Sequence, residues 1–291
     1  MEFLNEINLT LIADKSIATL VYCASALILL LVGKFIYQLL NRNINVNSEL
    51  VIKDNFAFSI QYVGYLLGLL LSIGGAIVGE SDGLRQDLVN IGIYGGLGLV
   101  FLNLASVISD KIILRKFKIA KEVCEDRNEG VAVVAAANYI ASGLIVFGAV
   151  SGEGGGIETA AICWIVGQLL LVLASEFYNF MTPYDTHEHL EKDNVAVGIG
   201  FGGAIIAFAV LIHNAINEDF ESYQVLAMDL GLEFVIGMLL LPIIRIGADK
   251  IILVGRNLDD ELVNQENPNM GAGLIEAFAY VGGAILISWC I

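Results

Sequence analysis

Long apolar runs alternate with charged segments along the whole chain. Eight of these runs approach the roughly 20 residues that a helix needs to cross the hydrocarbon core of a bilayer. The segments that join them alternate between short acidic loops, such as 79–87, and longer charged loops, such as 110–129. This pattern predicts an all-α integral membrane protein with about eight transmembrane helices, at about 17–40, 56–78, 86–109, 130–150, 157–180, 195–213, 224–247 and 270–290.

The distribution of basic residues predicts an orientation. The loops that follow odd-numbered spans hold 12 of the 15 Lys and Arg residues, whereas the opposite side has only Lys15 and Arg85. Because basic loops mark the cytoplasmic side, we expect a bacterial inner-membrane protein with both termini outside. The outer side carries eleven acids, which would attract cations, although adaptation to a salt-rich habitat gives the same bias.

The composition fits a membrane environment, since 57% of the residues are hydrophobic and only 16% are charged. The net charge of −16 disfavours nucleic acid and anionic lipid as partners, because both would be repelled. The four cysteines lie apart in the sequence and predict neither a disulfide nor a zinc site. We expect no cofactor, no bound metal and no catalytic site, and the lipid bilayer is the one partner that the composition requires.

An internal repeat divides the chain into halves, which we place at 1–150 and 151–291. Charged and polar residues recur at an offset of 139, which chance matching of apolar sequence does not readily supply. Each half has an even number of spans, so the two halves enter the membrane in the same direction and form parallel repeats. The repeated residues are Asp110 and Lys111 with Asp249 and Lys250, and Asn55 with Asn194.

The fourth span of each half needs a different register. At the offset of 139, Asn128 aligns with Asn267, and a further shift of one residue aligns Ala137 with Ala277. In this register the first half has Ala136 at the position of Glu276.

These motifs resemble the YjfL family of bacterial inner-membrane proteins. The residues that carry the resemblance are the Asp-Asn pairs before spans two and six, the Asp-Lys pairs that end spans three and seven, and the Glu-Asp-Arg-Asn stretch at 125–128. The resemblance implies membrane domains of about four spans, often in tandem, with no settled activity. It also implies an acid followed by a small residue in the last span, which Glu276 and Ala277 match and the first half does not.

Ionisable residues at membrane depth are costly, so they usually pair or function. Asp229 and Glu233 lie four residues apart on one helical face, with His213 at a similar depth. Together with Glu276 they form a candidate proton or cation path, in which Glu233 and Glu276 could approach each other near mid-membrane. The structural alternative pairs Arg245 with Glu276 and leaves Asp229 near the wet interface.

Other polar and small residues allow alternative interpretations. Lys34 aligns with Glu176 across the repeat, so the two could form a salt bridge, or Lys34 could reach the interface alone. The segment 185–189 could hold a divalent metal or be a solvated acidic loop. Small-residue pairs such as Gly92 and Gly96 favour close helix packing, within the chain or in a homo-oligomer.

Two functional hypotheses follow from these residues. In the first, the protein is a subunit of a proton- or cation-coupled transporter or channel that uses the buried acids of the second repeat. In the second, it is a non-transporting scaffold in an envelope-maintenance or membrane-stress complex, with a cytoplasmic protein bound at the 110–129 loop. An enzyme is not favoured, because no nucleophile with a general base is apparent.

Overall fold

The computed structural model describes residues 9–79, 81–116, 118–152 and 154–291, with side chains from residue 15 onward. Four of the eleven acids counted on the outer side lie outside the described residues: Glu2, Glu6, Glu80 and Glu153.

Pairs of long helices with a short helical segment between them follow one another along the described chain. Two π-helical turns, Ser48–Ile52 and Ser109–Ile113, accompany them. In chain order the helices are α1 (Leu9–Leu40), α2 (Phe56–Gly75), α3 (Leu84–Ile108), α4 (Ile119–Cys124), α5 (Glu129–Ser151), α6 (Ile157–Met181), α7 (Thr186–Glu191), α8 (Val195–Ile216), α9 (Tyr223–Ile251), α10 (Leu258–Val263) and α11 (Met270–Cys290).

The eight long helices correspond to the eight predicted spans. Among the described residues, eight helices are long and apolar enough to cross a membrane, which confirms the predicted number. The third and seventh spans reach further than the apolar pattern indicated, to Ile113 and Ile251, because their last turns continue through the Asp-Lys motifs. The protein is therefore an all-α integral membrane protein.

The two ends of the bundle differ in charge, and we name them the basic end and the acidic end. The basic end carries segments 41–55, 109–128, 182–194 and 252–269, and the acidic end carries 76–83, 152–156 and 217–222.

The even-numbered spans form a central row. Helices α2, α5, α8 and α11 run parallel from the basic end to the acidic end and pack in that order, while α1, α3, α6 and α9 flank the row. The flanking helices leave many large apolar side chains exposed, for example Leu20, Phe35 and Leu239. In a bilayer these side chains face lipid, so the central row forms the interior of the bundle.

Glycines let the central helices approach one another closely. A Cβ atom on Gly64 of α2 would lie 2.3 Å from the Cα of Ala136 in α5, and a Cβ on Gly203 of α8 would lie 2.5 Å from the Cα of Ala277 in α11. No side chain fits at these distances, so each position requires glycine. Such close contact supplies the van der Waals packing that holds helices together in lipid, where the hydrophobic effect between helices is weak.

An asparagine begins every helix of the central row at the basic end. Its Oδ1 accepts a hydrogen bond from a backbone N–H in the first helical turn and so caps the helix. In the first three helices its Nδ2 also donates to a backbone carbonyl of the short helix that precedes the next central helix. These bonds run from Asn55 to Val123 (2.9 Å), from Asn128 to Leu190 (2.8 Å) and from Asn194 to Leu262 (2.8 Å).

The fourth asparagine, Asn269, ends this series. It caps α11 through Gly271 and Ala272, but its Nδ2 donates to the Glu261 carboxylate, 2.9 Å away, instead of to a following short helix. The chain is thus a row of four hairpins, each made of an outer helix, a short helical segment or turn, an asparagine and a central helix. Each four-helix repeat contains two such hairpins.

These capping asparagines correct the register of the last span. Asn128 and Asn269 occupy equivalent positions, as do the Ala136 and Ala277 contacts with glycine, so the offset there is 141 and not 140. The alignment of Asn128 with Asn267 was therefore wrong. The loop between Glu261 and Asn269 is two residues longer than the loop between Glu122 and Asn128, and an ungapped comparison cannot register that insertion.

The 110–129 loop of the first repeat makes contacts with the second repeat. Arg115 lies 3.5 Å from the carboxylate of Glu176, and Lys116 lies 3.0 Å from that of Asp185, both in the second half. The Nε2 atom of His187 lies 3.0 Å from the carbonyl oxygen of Ile113. Much of the polarity of this loop is therefore engaged within the chain.

We expect Asn194→Ala to lower the free energy of unfolding by about 2–3 kcal/mol, because it removes a cap and leaves the Leu262 carbonyl without its buried donor. Thermal or denaturant unfolding of the purified protein in detergent measures this loss. The matched control is Asn269→Ala, which removes the exposed cap of the same motif and should cost about 1 kcal/mol or less. Equal losses in the two variants would contradict the proposed role of the side-chain link between hairpins.

Candidate functional site

A buried ion pair lies near the basic end of the second repeat. The Nε of Arg245 in α9 donates to Oε1 of Glu276 in α11 at 2.6 Å, and its Nη2 donates to Asp259 in α10 at 2.7 Å. The Glu276 side chain is fully buried. One guanidinium therefore binds two carboxylates and links three helices, α9, α10 and α11, and its planar set of donors suits this arrangement.

Two tyrosines and a glycine complete the surroundings of Glu276. The hydroxyl of Tyr178 lies 3.4 Å from Oε1 of Glu276 and 3.3 Å from the hydroxyl of Tyr184. Burial, followed by the charge of Glu276, raises the pKa of Tyr184, so its hydroxyl stays protonated. A Cβ on Gly200 would lie 2.0 Å from Oε2 of Glu276, so α8 can accommodate this carboxylate only because residue 200 has no side chain.

The equivalent position in the first repeat has no ion pair. With the corrected register, Ala135 rather than Ala136 corresponds to Glu276, and Ser106 corresponds to Arg245. The aspartates that end the third and seventh spans also differ in their contacts. Asp249 accepts a hydrogen bond from the backbone N–H of Leu258 at 2.8 Å, which joins α9 to α10. The two repeats share a backbone plan and differ in charge at this depth.

A second polar region lies toward the acidic end. The side chains of Glu218, Glu221 and Asp229 help to line a cavity of about 380 Å³ between α5, α6, α8 and α9. One helical turn deeper, Glu233 is 3% exposed. Its Oε1 accepts a hydrogen bond from Nδ2 of Asn214 at 2.9 Å, while its Oε2 is buried without a hydrogen-bond partner among the described residues.

The four predicted path residues do not form one cluster. Glu233 and Arg245 are 12 residues apart on α9, about 18 Å along the helix axis, so Glu276 lies far from Glu233 and the predicted approach near mid-membrane was wrong. His213 turns toward α5, where its Nδ1 lies 3.1 Å from the carbonyl oxygen of Leu144. The structure places Asp229 and Glu233 together and separates them from Glu276.

The predicted pairing of Lys34 with Glu176 was also wrong. Glu176 lies beside Arg115, whereas Lys34 lies in a groove between α1 and α2 on the surface of the first repeat. Residues that align across a repeat occupy equivalent positions in different units, so the distance between units separates them. Alignment across a repeat therefore does not indicate contact.

The remaining candidates take local structural roles. Asp185 caps α7 by accepting hydrogen bonds from the backbone N–H groups of His187 and Glu188. No group of three or more His, Cys, Asp or Glu residues suited to a metal occurs in the described part of the chain. Gly92 and Gly96 have open surface beside them, so self-association through that face stays a prediction.

Sequence reasoning missed three members of these sites. Asp259 lies in an acidic segment whose pattern indicates exposure to solvent, and Tyr178 lies in an apolar run. Asn214 is next to His213, which the sequence analysis selected as the candidate instead. A signal existed only for Asn214, because an amide inside an apolar helix requires a partner. The contacts of Asp259 and Tyr178 depend on helix packing and leave no local pattern.

The arrangement defines a multi-pass α-helical membrane protein made of two tandem parallel repeats. The chain belongs to the family described as Domain of Unknown Function (DUF350), whose model matches it twice, over residues 10–150 and 154–291. This match confirms the family resemblance that the Asp-Asn and Asp-Lys motifs indicated.

The chain is also similar to a UPF0719 transmembrane protein of Aquifex aeolicus (strain VF5). The two are 22% identical over 266 residues, which cover 90% of this chain and 96% of that relative. No solved structure matches the chain. Neither the family description nor the name of the relative states an activity, so the comparisons identify an uncharacterised family of transmembrane proteins.

We expect Arg245→Met to destabilise the protein by about 3–5 kcal/mol, because it leaves the buried Glu276 carboxylate without its cation. Replacing both partners, as Arg245→Met with Glu276→Leu, should recover much of this loss. Thermal unfolding in detergent, followed by circular dichroism, measures both effects.

The control is Arg115→Met, which removes a half-exposed ion pair at 3.5 Å and should cost at most about 1 kcal/mol. If the single Arg245 variant unfolds at the wild-type temperature, the pair does not stabilise the basic end.

Proposed function

We propose that the second repeat exchanges protons or cations with the acidic side of the membrane, as part of a transporter or channel. The observation that carries this proposal is the position of Glu233, which is nearly fully buried and has one carboxylate oxygen without a hydrogen-bond partner among the described residues. A carboxylate at membrane depth without a cationic partner is costly as an isolated charge, so it binds a proton or a cation.

The cavity above Glu233 supports an access route from the acidic end. Glu218, Glu221 and Asp229 give the cavity a negative potential that concentrates cations. Asp229 lies one turn, about 6 Å, closer to the acidic end than Glu233, so the two carboxylates form successive steps along α9.

Apolar packing closes the route beyond Glu233. Leu241 is fully buried, and the space beside Gly237 is filled by Leu211 and Phe208 of α8. We infer a half-channel that is open to the acidic end, and completed transport requires α8 and α9 to separate. In this proposal the Arg245–Glu276 pair holds the basic end together and carries no substrate.

A membrane scaffold is the second candidate. The enclosed Arg245–Glu276 pair favours it, because protonating a carboxylate that is already paired with arginine would break the ion pair. The 110–129 loop is a weaker docking surface than its charge indicated, since Arg115 and Lys116 bind Glu176 and Asp185 of the same chain. A partner at this loop would contact Lys111 and Lys118.

We expect Glu233→Gln to lower proton or cation flux by at least about tenfold in proteoliposomes with an imposed membrane potential, because the amide cannot exchange a proton or neutralise a cation. Asp229→Asn should lower flux less. Glu188→Gln is the matched control, since Glu188 is exposed at the basic end and pairs with Lys192.

Wild-type flux in the double variant Asp229→Asn with Glu233→Gln would overturn the transport proposal. If wild-type protein carries no more flux than protein-free vesicles, the scaffold becomes the better explanation.

We also propose that the acidic end and both termini face the outside of a bacterial inner membrane, on the strength of the 12 basic residues near the opposite end. Single cysteines at the exposed positions Glu221 and Asn47 in a cysteine-free background test this orientation. A membrane-impermeant maleimide applied to intact spheroplasts should label the variant Glu221→Cys and leave Asn47→Cys unlabelled until the membrane is opened. The reverse labelling would contradict the proposal.

A further inference from the structure

An apolar groove runs along the open edge of the central row, between α1 and α2. Each of the outer helices α3, α6 and α9 packs against two neighbouring helices of the row. The outer helix α1 lies beside α2, which is the first central helix of the described chain, so its other side is not covered by a central helix. The groove lies at this place, and Val63 of α2 is among its lining residues.

The residues at the edges of the row show that the groove does not suit another central helix. Between central helices, the residue nine positions after one capping asparagine meets the residue eight positions after the next. These contacts pair Gly64 with Ala136, Ala137 with Gly202, and Gly203 with Ala277. At the two ends of the row the same positions hold Val63 and Phe278, which are 53% and 65% exposed. Such large side chains would keep the helix of a second copy from approaching α2 closely.

The shape of the groove fits a lipid. It has two adjoining parts, of about 530 Å³ and 600 Å³, which share Leu31, Lys34 and Leu66. The first part is lined by apolar side chains apart from Lys34 and reaches Leu27, about 10 Å further toward the middle of the bundle than Lys34. The second part lies nearer the basic end and adds polar side chains, among them Gln38. An acyl chain fits the apolar part, and a headgroup then lies at the basic end.

Lys34 is the one charged residue among the described residues that line the two parts. Its side chain is exposed and has neither an ion pair nor a hydrogen bond within the described chain. It lies six residues before the end of α1, as Arg245 does before the end of α9. Tyr62, which also lines the groove, lies seven residues after its capping asparagine, as Glu276 does.

This correspondence shows what the first hairpin lacks. In the fourth hairpin the guanidinium of Arg245 is bound by the carboxylate of Glu276. In the first hairpin both corresponding groups are donors, namely the ammonium of Lys34 and the hydroxyl of Tyr62, and that hydroxyl is buried without a hydrogen-bond partner among the described residues. An anion between α1 and α2 would supply the missing acceptor.

We propose that the groove between α1 and α2 binds one anionic phospholipid, with its phosphate at Lys34 and an acyl chain along the leucines. Lysine binds phosphate as a point charge, and an anionic headgroup leaves that charge uncompensated, whereas a zwitterionic headgroup carries its own cation. The net charge of −16 repels anionic lipid from the protein as a whole. The described residues that line this groove include no acid, so the repulsion is weakest there. The site is independent of the Glu233 route.

The test is lipid binding by the full-length protein, purified in detergent and freed of native lipid. Native mass spectrometry should show one phosphatidylglycerol per chain, bound about fivefold more tightly than phosphatidylcholine with the same acyl chains. Phosphatidylglycerol should also raise the unfolding midpoint by about 2–4 °C more than phosphatidylcholine does. Lys34→Gln should abolish this preference. The matched control Lys250→Gln removes an exposed lysine at the basic end of the second repeat and should retain it.

A second variant tests the apolar part and identifies the occupant. Val63→Trp changes an exposed side chain, so the protein should fold, but the indole fills the groove and should weaken binding of both lipids by at least about tenfold. The proposal is overturned if the wild type binds the two lipids equally, or if Lys34→Gln keeps the preference. It is also overturned if the wild type is a lipid-free dimer that Val63→Trp converts to a monomer, because the groove then holds a second copy.

Discussion

The asparagine at the start of each central helix is the interaction on which the rest of the bundle depends. The side chain of this asparagine accepts a hydrogen bond from an otherwise unpaired N–H of its own helix. In three of the four hairpins it also donates to an otherwise unpaired carbonyl near the end of the neighbouring short helix. Helix ends that are buried need such partners. The bond fixes the depth of each central helix against the next, and the glycine contacts of Gly64 and Gly203 then require that depth.

A row of equivalent hairpins leaves freedom for each to acquire its own polar chemistry. The backbone bonds are satisfied by capping and by the helices themselves, so side chains between the helices can change charge without changing the fold. The second repeat has Glu276, Arg245 and Glu233, whereas the first has Ala135, Ser106 and Tyr94 at the corresponding positions. Within the second repeat, Glu233 lies toward the acidic end and the Arg245–Glu276 pair lies toward the basic end. The two ends of the protein therefore have different electrostatic surroundings.

The sequence predicted the spans well and the side-chain contacts less well. A run of apolar residues is a local property, so all eight spans were found, and Asp110 with Asp249 located the repeat without any gap. The two residues inserted before Asn269 shift the register of the last span, so the sequence comparison aligned Glu276 with Ala136 instead of Ala135. Lys34 and Glu176 were paired because they align, although equivalent residues of two units lie a unit apart.

Hydropathy and the repeated motifs alone determined that this chain is a helical membrane protein, how many times it crosses, and that its halves run parallel. Those features depend on the cost of placing backbone and charge in lipid, which acts residue by residue. Only the tertiary structure decided that Glu276 and Asp259 both bind Arg245, and that Glu233 lies apart, deeper in the bundle than an acidic cavity. Such contacts depend on which faces of separate helices meet, and that is set by glycine contacts and capping bonds between residues distant in sequence.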